Sequence, residues 1–291
     1  MAGIVVTVMN MKGGVGKTTV VANLAPTIAF RKYGGCQRHV LMIDYDAQFN
    51  LSQSWLSGPA LTACWEADQT SLAILQDRAG RSPFEIRDPG QLPPPPVADI
   101  AVQVWHSEKA SLSLVPSTMD LMYVALGKEG SAARSVERRF QTFIDLARRE
   151  YDLIVIDCHP AGSLLTRTAL LSADHLLIPV TDHPFAARGT RLMRDFIGKV
   201  RAETELPYHI LFNLDAPSAR PSAAEREIRA DTRLKHRCLK SRLRRWTGLR
   251  RLREGSDWIG ETGGPYSTKC WNNLVSVADE FSERIGLGVH T

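Results

Sequence analysis

The densest chemistry in the 291-residue chain lies near its start, in Asn10-Met11-Lys12-Gly13-Gly14-Val15-Gly16-Lys17-Thr18-Thr19. Glycines behind a β-branched apolar run let the backbone turn so that successive N–H groups converge on one point. A helix opening there adds its own unpaired N–H groups, and the result is a cradle for phosphates. Lys17 is placed to neutralise the outer phosphates and the Thr18 hydroxyl to complete a Mg2+ shell, with Gly13, Gly14, Val15, Gly16 and Thr19 forming the cradle. The pattern G-x-x-x-x-G-K-[ST] is met only with its first glycine relaxed, because Lys12 stands near the start. A turn that merely needs glycines explains the Lys-Thr-Thr ending less well.

Carboxylates supply the rest of what a nucleotide hydrolase needs. Asp157 closes the apolar run Tyr151–Asp157, where a carboxylate can bind Mg2+ directly or through water. Asp44 closes His39–Asp44 and Asp46 follows it on the same side of the chain by strand alternation, so that Asp44 can join Asp157 at the metal and one of the pair can orient an attacking water.

These groups need elements to hold them. Residues 3–9, 39–44, 112–115, 151–157, 175–180 and 208–214 are short apolar runs that read as buried strands, and helical stretches at about 17–32, 132–149, 163–172, 186–203 and 268–285 alternate with them. This order predicts one α/β domain over residues 1–291, with a doubly wound, mostly parallel sheet flanked by helices and ligands at the carboxyl ends of the strands. Pro26 is expected to kink its helix. The stretch 58–110, with Gly80, Pro83, Pro89 and the Pro93–Pro96 run, reads as a loop insertion.

Composition narrows the class. With 44% apolar and 23% charged residues the chain can bury a core, and no run is long enough to span a membrane. Five scattered cysteines without a C-x-x-C pair fit reduced cytosolic thiols, and the opening residues do not resemble a signal peptide. The net charge of +5 hides an asymmetry: residues 220–253 hold thirteen Lys and Arg against three acids, while the remainder is mildly acidic. Read as one helix, Ser222–Trp246 places Arg226, Arg229, Arg233, Arg237, Lys240 and Arg244 on one face at spacings of three and four, opposite Ile228, Leu239, Leu243 and Trp246. Six cations without i+4 acidic partners on their face favour contact with DNA phosphates, nonspecific and salt-sensitive, over a merely solvated face.

Lys12-Gly-Gly-Val-Gly-Lys-Thr-Thr resembles the deviant Walker A motif of the ParA/MinD partitioning ATPases. Asp44-Tyr-Asp-Ala-Gln-Phe-Asn50 is similar to that family's D-x-D-P-Q-x-N segment, and Tyr151–Pro160 to its Walker B, usually an apolar run ending D-T-P-P. Leu112–Thr118 and Ala173–Val180 also echo family segments, so the likeness covers about residues 3–215 in order. It implies ATP and Mg2+ as ligands, with Lys12 reaching the partner's nucleotide in an ATP-sandwich homodimer, Lys17 and Asp46 in catalysis, Asp157 at the metal and Asn213 near adenine. It also implies nonspecific DNA binding, a ParB-like centromere-binding partner that stimulates hydrolysis, and a cytoplasmic, nucleoid-associated protein. Departures from the family pattern are Ala47 in place of proline and Cys158-His159-Pro160 in place of Thr-Pro-Pro.

Within the family the sequence fits a small ParA-like type, with the loop too near the start for a preceding helix-turn-helix. The acidic residues Asp279, Glu280 and Glu283 of the last helix fit docking on the core better than a MinD-like membrane helix. The cysteines do not sit in a cluster-binding segment of the nitrogenase iron protein type. Two alternatives stand beside DNA partitioning: positioning of a non-DNA cargo, such as a conjugation or polysaccharide-export complex, and nucleotide-gated DNA binding with negligible turnover.

Overall fold

The structure is a computed structural model that describes residues 2–33, 35–76, 88–126, 131–160, 162–215, 220–250, 258–260 and 267–288. Apolar runs become strands where the expectation placed them: β1 (Ile4–Val8), β2 (His39–Tyr45), β4 (Ser111–Val115), β5 (Leu153–Cys158), β6 (His175–Val180) and β7 (Tyr208–Asp215). With β3 (Val102–His106) and β8 (Leu243–Arg244) they form one sheet in the order β3-β4-β2-β5-β1-β6-β7-β8. Every named pairing is parallel except β3 against β4.

The central strands are apolar on both faces because both are covered. Val5, Leu41, Ile43, Ile154 and Ile156 join one core with Phe140 and Phe143 of α7 (Ser131–Glu150), Leu165 of α8 (Leu164–Ser172) and Ile197 of α9 (Ala186–Val200). Their neighbours Val6, Val40, Met42 and Val155 join the other with Leu24 and Ile28 of α1 (Lys17–Phe30) and Leu274 and Phe281 of α11 (Ser267–Arg284). In α7 the buried Val136, Phe140, Phe143, Ile144 and Ala147 recur at helical spacing, so a single face meets the sheet. Helix α1 runs through Pro26 to Phe30; the proline removes one backbone donor without ending the helix.

Two expectations fail. The stretch 58–110 is not a loop insertion: among the described residues it holds α3 (Gly58–Glu66), α4 (Ser71–Leu75), α5 (Val97–Ile100) and the edge strand β3. Ser57 caps α3, and the proline run leads directly into α5 with Pro96 at its N-cap. Gly80 and Pro83 lie outside the described residues. Ser222–Trp246 is not one helix either. α10 covers only Ala223–Ala230; a 3-10 turn follows at Lys235–Arg237, and then β8. The break is made by Asp231, whose side chain accepts the Arg233 N–H at 2.9 Å in a local turn. Downstream, Leu239 N–H donates to Ile210 O, which draws the chain alongside β7. Two short helices were unforeseen, α2 (Asn50–Trp55) and α6 (Leu121–Leu126). Among the described residues no helix is long and apolar enough to cross a membrane.

Candidate functional site

At the carboxyl edge of the sheet, β1 runs out into the glycine loop. Asn10 Nδ2 donates to Pro179 O at 2.8 Å and its Oδ1 accepts the Lys12 N–H, which anchors the loop to the end of β6. Gly14 and Gly16 have φ of 74° and 82°, the left-handed region that glycine enters without a Cβ penalty. Gly16 is the N-cap of α1, whose first turn has no side-chain cap and no acid. Those free N–H groups and the positive end of the helix dipole suit an anion. Lys17 is only 8% exposed, Thr18 and Thr19 are half-buried, and Lys12 stands out in solvent.

Beside the loop, β2 and β5 pair so that Asp44 lies opposite Asp157. Asp157 is 1% exposed, and neither carboxylate oxygen has a hydrogen-bond partner among the described residues. Burial first, then the neighbouring Asp44, push its carboxyl up to about 8, while Thr18 and Lys17 act in the opposite direction. A buried carboxylate without partners, next to a threonine hydroxyl, is what a divalent cation would satisfy. Thr18 and Asp157 therefore fit Mg2+. Asp44 does not. Its Oδ2 accepts Ser52 N–H at 2.8 Å and Ser52 Oγ–H at 2.6 Å, and its Oδ1 accepts the Asp46 N–H at 3.3 Å. Asp44 is a buried clamp that positions α2, which corrects its assignment to the metal.

Asp46 lies at the end of β2, 8% exposed. Its backbone is held on both sides: N–H to Asp44, and O accepting Ser117 Oγ–H at 2.7 Å. Its Oδ1 accepts the Gln48 N–H at 3.0 Å and lies 3.1 Å from His159 Nδ1. Burial opposes ionisation, but these hydrogen bonds and the charges of His159 and Lys17 outweigh it, so the carboxyl is held below its usual range. An ionised, oriented carboxylate beside the cradle can hold a water.

Asn213 is also corrected. It is fully buried beneath the loop, where Nδ2 donates to Val15 O at 2.7 Å and Oδ1 accepts the Leu214 N–H. A Cβ on Gly16 would lie 2.6 Å from that Nδ2, so the glycine is required for the close approach. Asn213 braces the loop, with its amide and carbonyl both engaged by this chain. The cleft beyond, about 370 Å³, is lined by Gly14, Gly16, Thr18, Thr19, Ala22, Ser54, Leu214 and Leu249. Leu214 enters the left-handed region at φ 63°, and Asn23 Nδ2 donates to Leu249 O at 3.2 Å. Ser54, Leu214 and Leu249 carry no sequence signal, because they come together only when α2, β7 and a 3-10 turn at Gly248–Arg250 meet.

The expected arginine stripe is dispersed. Arg229 turns inward to Glu225, which is 1% exposed and also meets Arg242. Arg229 also stacks on Phe212 at 4.8 Å. Arg226 donates to Pro221 O, while Lys240 and Arg244 are tied through their backbone N–H groups to Glu280 and Asn273. Only Arg233 and Arg237 converge, and the partners there are Arg194 and Arg201 of the α9 region. The four line a cavity of about 290 Å³ with Thr204, Glu205 and Tyr208. Arg237 pairs with Glu205 and stacks on Tyr208. Arg251 and Arg253 lie outside the described residues.

A family model described as an AAA domain matches residues 3–209. An uncharacterized protein of Mycobacterium tuberculosis is 32% identical over 199 residues, 68% of this chain and 52% of that protein, so the chain spans about half the length of that relative. The chromosome partitioning protein ParA of Caulobacter vibrioides is 28% identical over 230 residues, 78% of this chain and 75% of that protein. Among solved structures, pNOB8 ParA bound to nonspecific DNA superposes with a TM-score of 0.62 at 20% identity, covering 98% of this chain and 99% of that one. With the cradle at residues 12–19, Asp157 beneath it and the match over residues 3–209, the chain belongs to the ParA/MinD family of partitioning ATPases, which carry the deviant Walker A motif.

Proposed function

We propose that the protein is an ATP-dependent partitioning ATPase that binds DNA without sequence preference in its ATP-bound state and releases it after hydrolysis. The observation that carries this reading is the partnerless, buried Asp157 carboxylate facing the uncapped start of α1 with Lys17 and Thr18. The loop N–H groups and Lys17 bind the phosphates; Thr18 and Asp157 would hold Mg2+. When bound, that ion neutralises charge developing on the outer phosphates. Asp46 orients the attacking water, and Lys12, exposed at the rim, supplies a cation to the nucleotide of a second copy in an ATP-sandwich dimer. Asn10 and Asn213 hold the loop in shape from below.

DNA is assigned to the cavity of Arg194, Arg201, Arg233 and Arg237, since four guanidinium groups against two acids, Glu205 paired with Arg237 and Asp195 paired with Arg194, leave excess positive charge for phosphates. The related pNOB8 ParA bound to nonspecific DNA supports this choice of ligand. A ParB-like partner would stimulate turnover. The test is binding to random-sequence duplex across a salt series with ATP, ADP or no nucleotide, alongside Lys17→Ala. ATP-dependent, salt-sensitive binding that Lys17→Ala loses supports the reading; binding indifferent to nucleotide, or none, overturns it in favour of another cargo.

A further inference from the structure

The segment after Asp157 departs from the family pattern at Cys158-His159, and the structure shows what the replacement touches. Cys158 is fully buried in the core, whereas His159 reaches across from the end of β5 to the end of β2, with Nδ1 3.1 Å from Asp46 Oδ1. Asp157 and His159 are two residues apart at an extended strand end, so one short stretch carries both the metal carboxylate and the contact to the water-holding carboxylate. We propose that His159 is a positioning residue for ATP hydrolysis, fixing the Asp46 carboxylate so that its free oxygen meets the attacking water.

The geometry supports this in three steps. The Asp46 backbone is already immobile, held by Asp44 and Ser117, so the remaining freedom is rotation of the carboxylate. The Gln48 N–H and His159 Nδ1 both address Oδ1, one from the same loop and one from a different strand. Two donors on one oxygen fix the carboxylate plane, and no hydrogen bond among the described residues uses Oδ2. A carboxylate only accepts, so Nδ1 carries the hydrogen in this contact. Donation from β5 also means that Asp46 is oriented only when the β2 and β5 ends sit at their native separation. The phosphate side and the water side of the reaction are thereby set by one strand end.

This inference rests on the assignment of Asp46 to the water, and the experiment separates the two. Steady-state ATP hydrolysis by the full chain with Mg2+ is measured for wild type, Asp46→Ala, His159→Ala, His159→Asn, His159→Gln and the Asp46→Ala/His159→Ala double variant, together with affinity for a fluorescent ATP analogue. An asparagine amide can place an N–H near the Nδ1 position, whereas glutamine reaches toward Nε2. For His159→Ala, kcat should fall about tenfold while KM and analogue affinity stay within about twofold, as expected when orientation but not binding is lost. His159→Asn should recover to within about threefold of wild type and His159→Gln should not; the double variant should be no slower than Asp46→Ala, because the two act as a unit. Unchanged or raised kcat in His159→Ala, with Asp46→Ala inactive, overturns this proposal alone, a rise making the contact a brake. Normal turnover in Asp46→Ala overturns the assignment beneath it. Should His159→Ala lose nucleotide binding, the Asn and Gln variants decide: equal rates overturn the proposal.

Discussion

The two edges of the sheet are built in opposite ways. At the carboxyl edge the groups apart from Lys12 are held by backbone or by burial: Gly16 caps α1, Asn213 braces Val15 O, Ser52 fills Asp44, and Asp157 is enclosed. At the amino edge, before Tyr208, the charges sit on long arginine side chains from the α9 region and from the segment after α10: Arg194 leans on an acid, Arg201 on a carbonyl and Arg237 on an acid and a ring. The first edge suits a ligand of fixed shape, where a misplacement of about 1 Å is costly. The second suits a repeating polyanion, which tolerates adjustable contacts.

That contrast can be broken first at Lys17. Lys17→Ala should reduce ATP hydrolysis by about 1000-fold in a steady-state assay, through lost charge stabilisation at the phosphates. Charge reversals in the arginine cavity should leave DNA-free hydrolysis unchanged. Next in size, Arg233→Glu with Arg237→Glu should weaken duplex binding by about 100-fold and lower the salt slope by about two. Arg226→Glu with Lys240→Glu, which lie outside the cavity, should do much less; equal effects would restore the single arginine stripe. A third test addresses the scaffold of the basic region. Glu225→Ala removes the buried acid shared by Arg229 and Arg242 and should cost about 2 kcal/mol in denaturant unfolding, since breaking one partner of a buried pair leaves uncompensated charge.

The smallest effect is a pH dependence at the amino edge. His209 lies 3.3 Å from His175 and packs against Phe281. Burial first, then the charges of His175, Arg284 and Arg237, push it down to about 3, with Glu280 acting the other way. Because the unfolded chain binds this proton more readily, stability is lost as pH falls below about 6.5, by about 1 to 2 kcal/mol on reaching pH 5. His209→Leu should flatten the melting temperature between pH 7.5 and 5; an unchanged slope would place the effect elsewhere.

How much could be read from the residues follows the same division. The glycine loop was legible because all its parts are contiguous and each has a steric or charge reason to be there. Strands β1, β2 and β5 were legible because burial on two faces demands unbroken apolar runs. Asp44 shows where such reading stops: a carboxylate at a strand end looks the same whether it awaits a cation or, as here, is consumed by Ser52 eight residues on. The arginine spacing in 222–246 mimics a helix with no glycine or proline to contradict it. The actual break comes from the Asp231 side chain and from pairing with β7, which no local pattern reveals. Strand β3 was hidden by partial exposure at the sheet edge and the prolines before it. The cavity arginines Arg194 and Arg201 were missed because they belong to the α9 region, outside the stretch of dense positive charge.

Strand β7 has a mechanical consequence. Its first residue, Tyr208, carries the Arg237 guanidinium, and five residues later Asn213 grips Val15 O beneath the phosphate loop. At about 3.3 Å per residue these two grips lie about 17 Å apart on one strand that is hydrogen-bonded along its length to β6. An extended strand cannot stretch and its register with β6 resists sliding, so the phosphate loop and the arginine cavity are mounted at a fixed separation on one rigid beam.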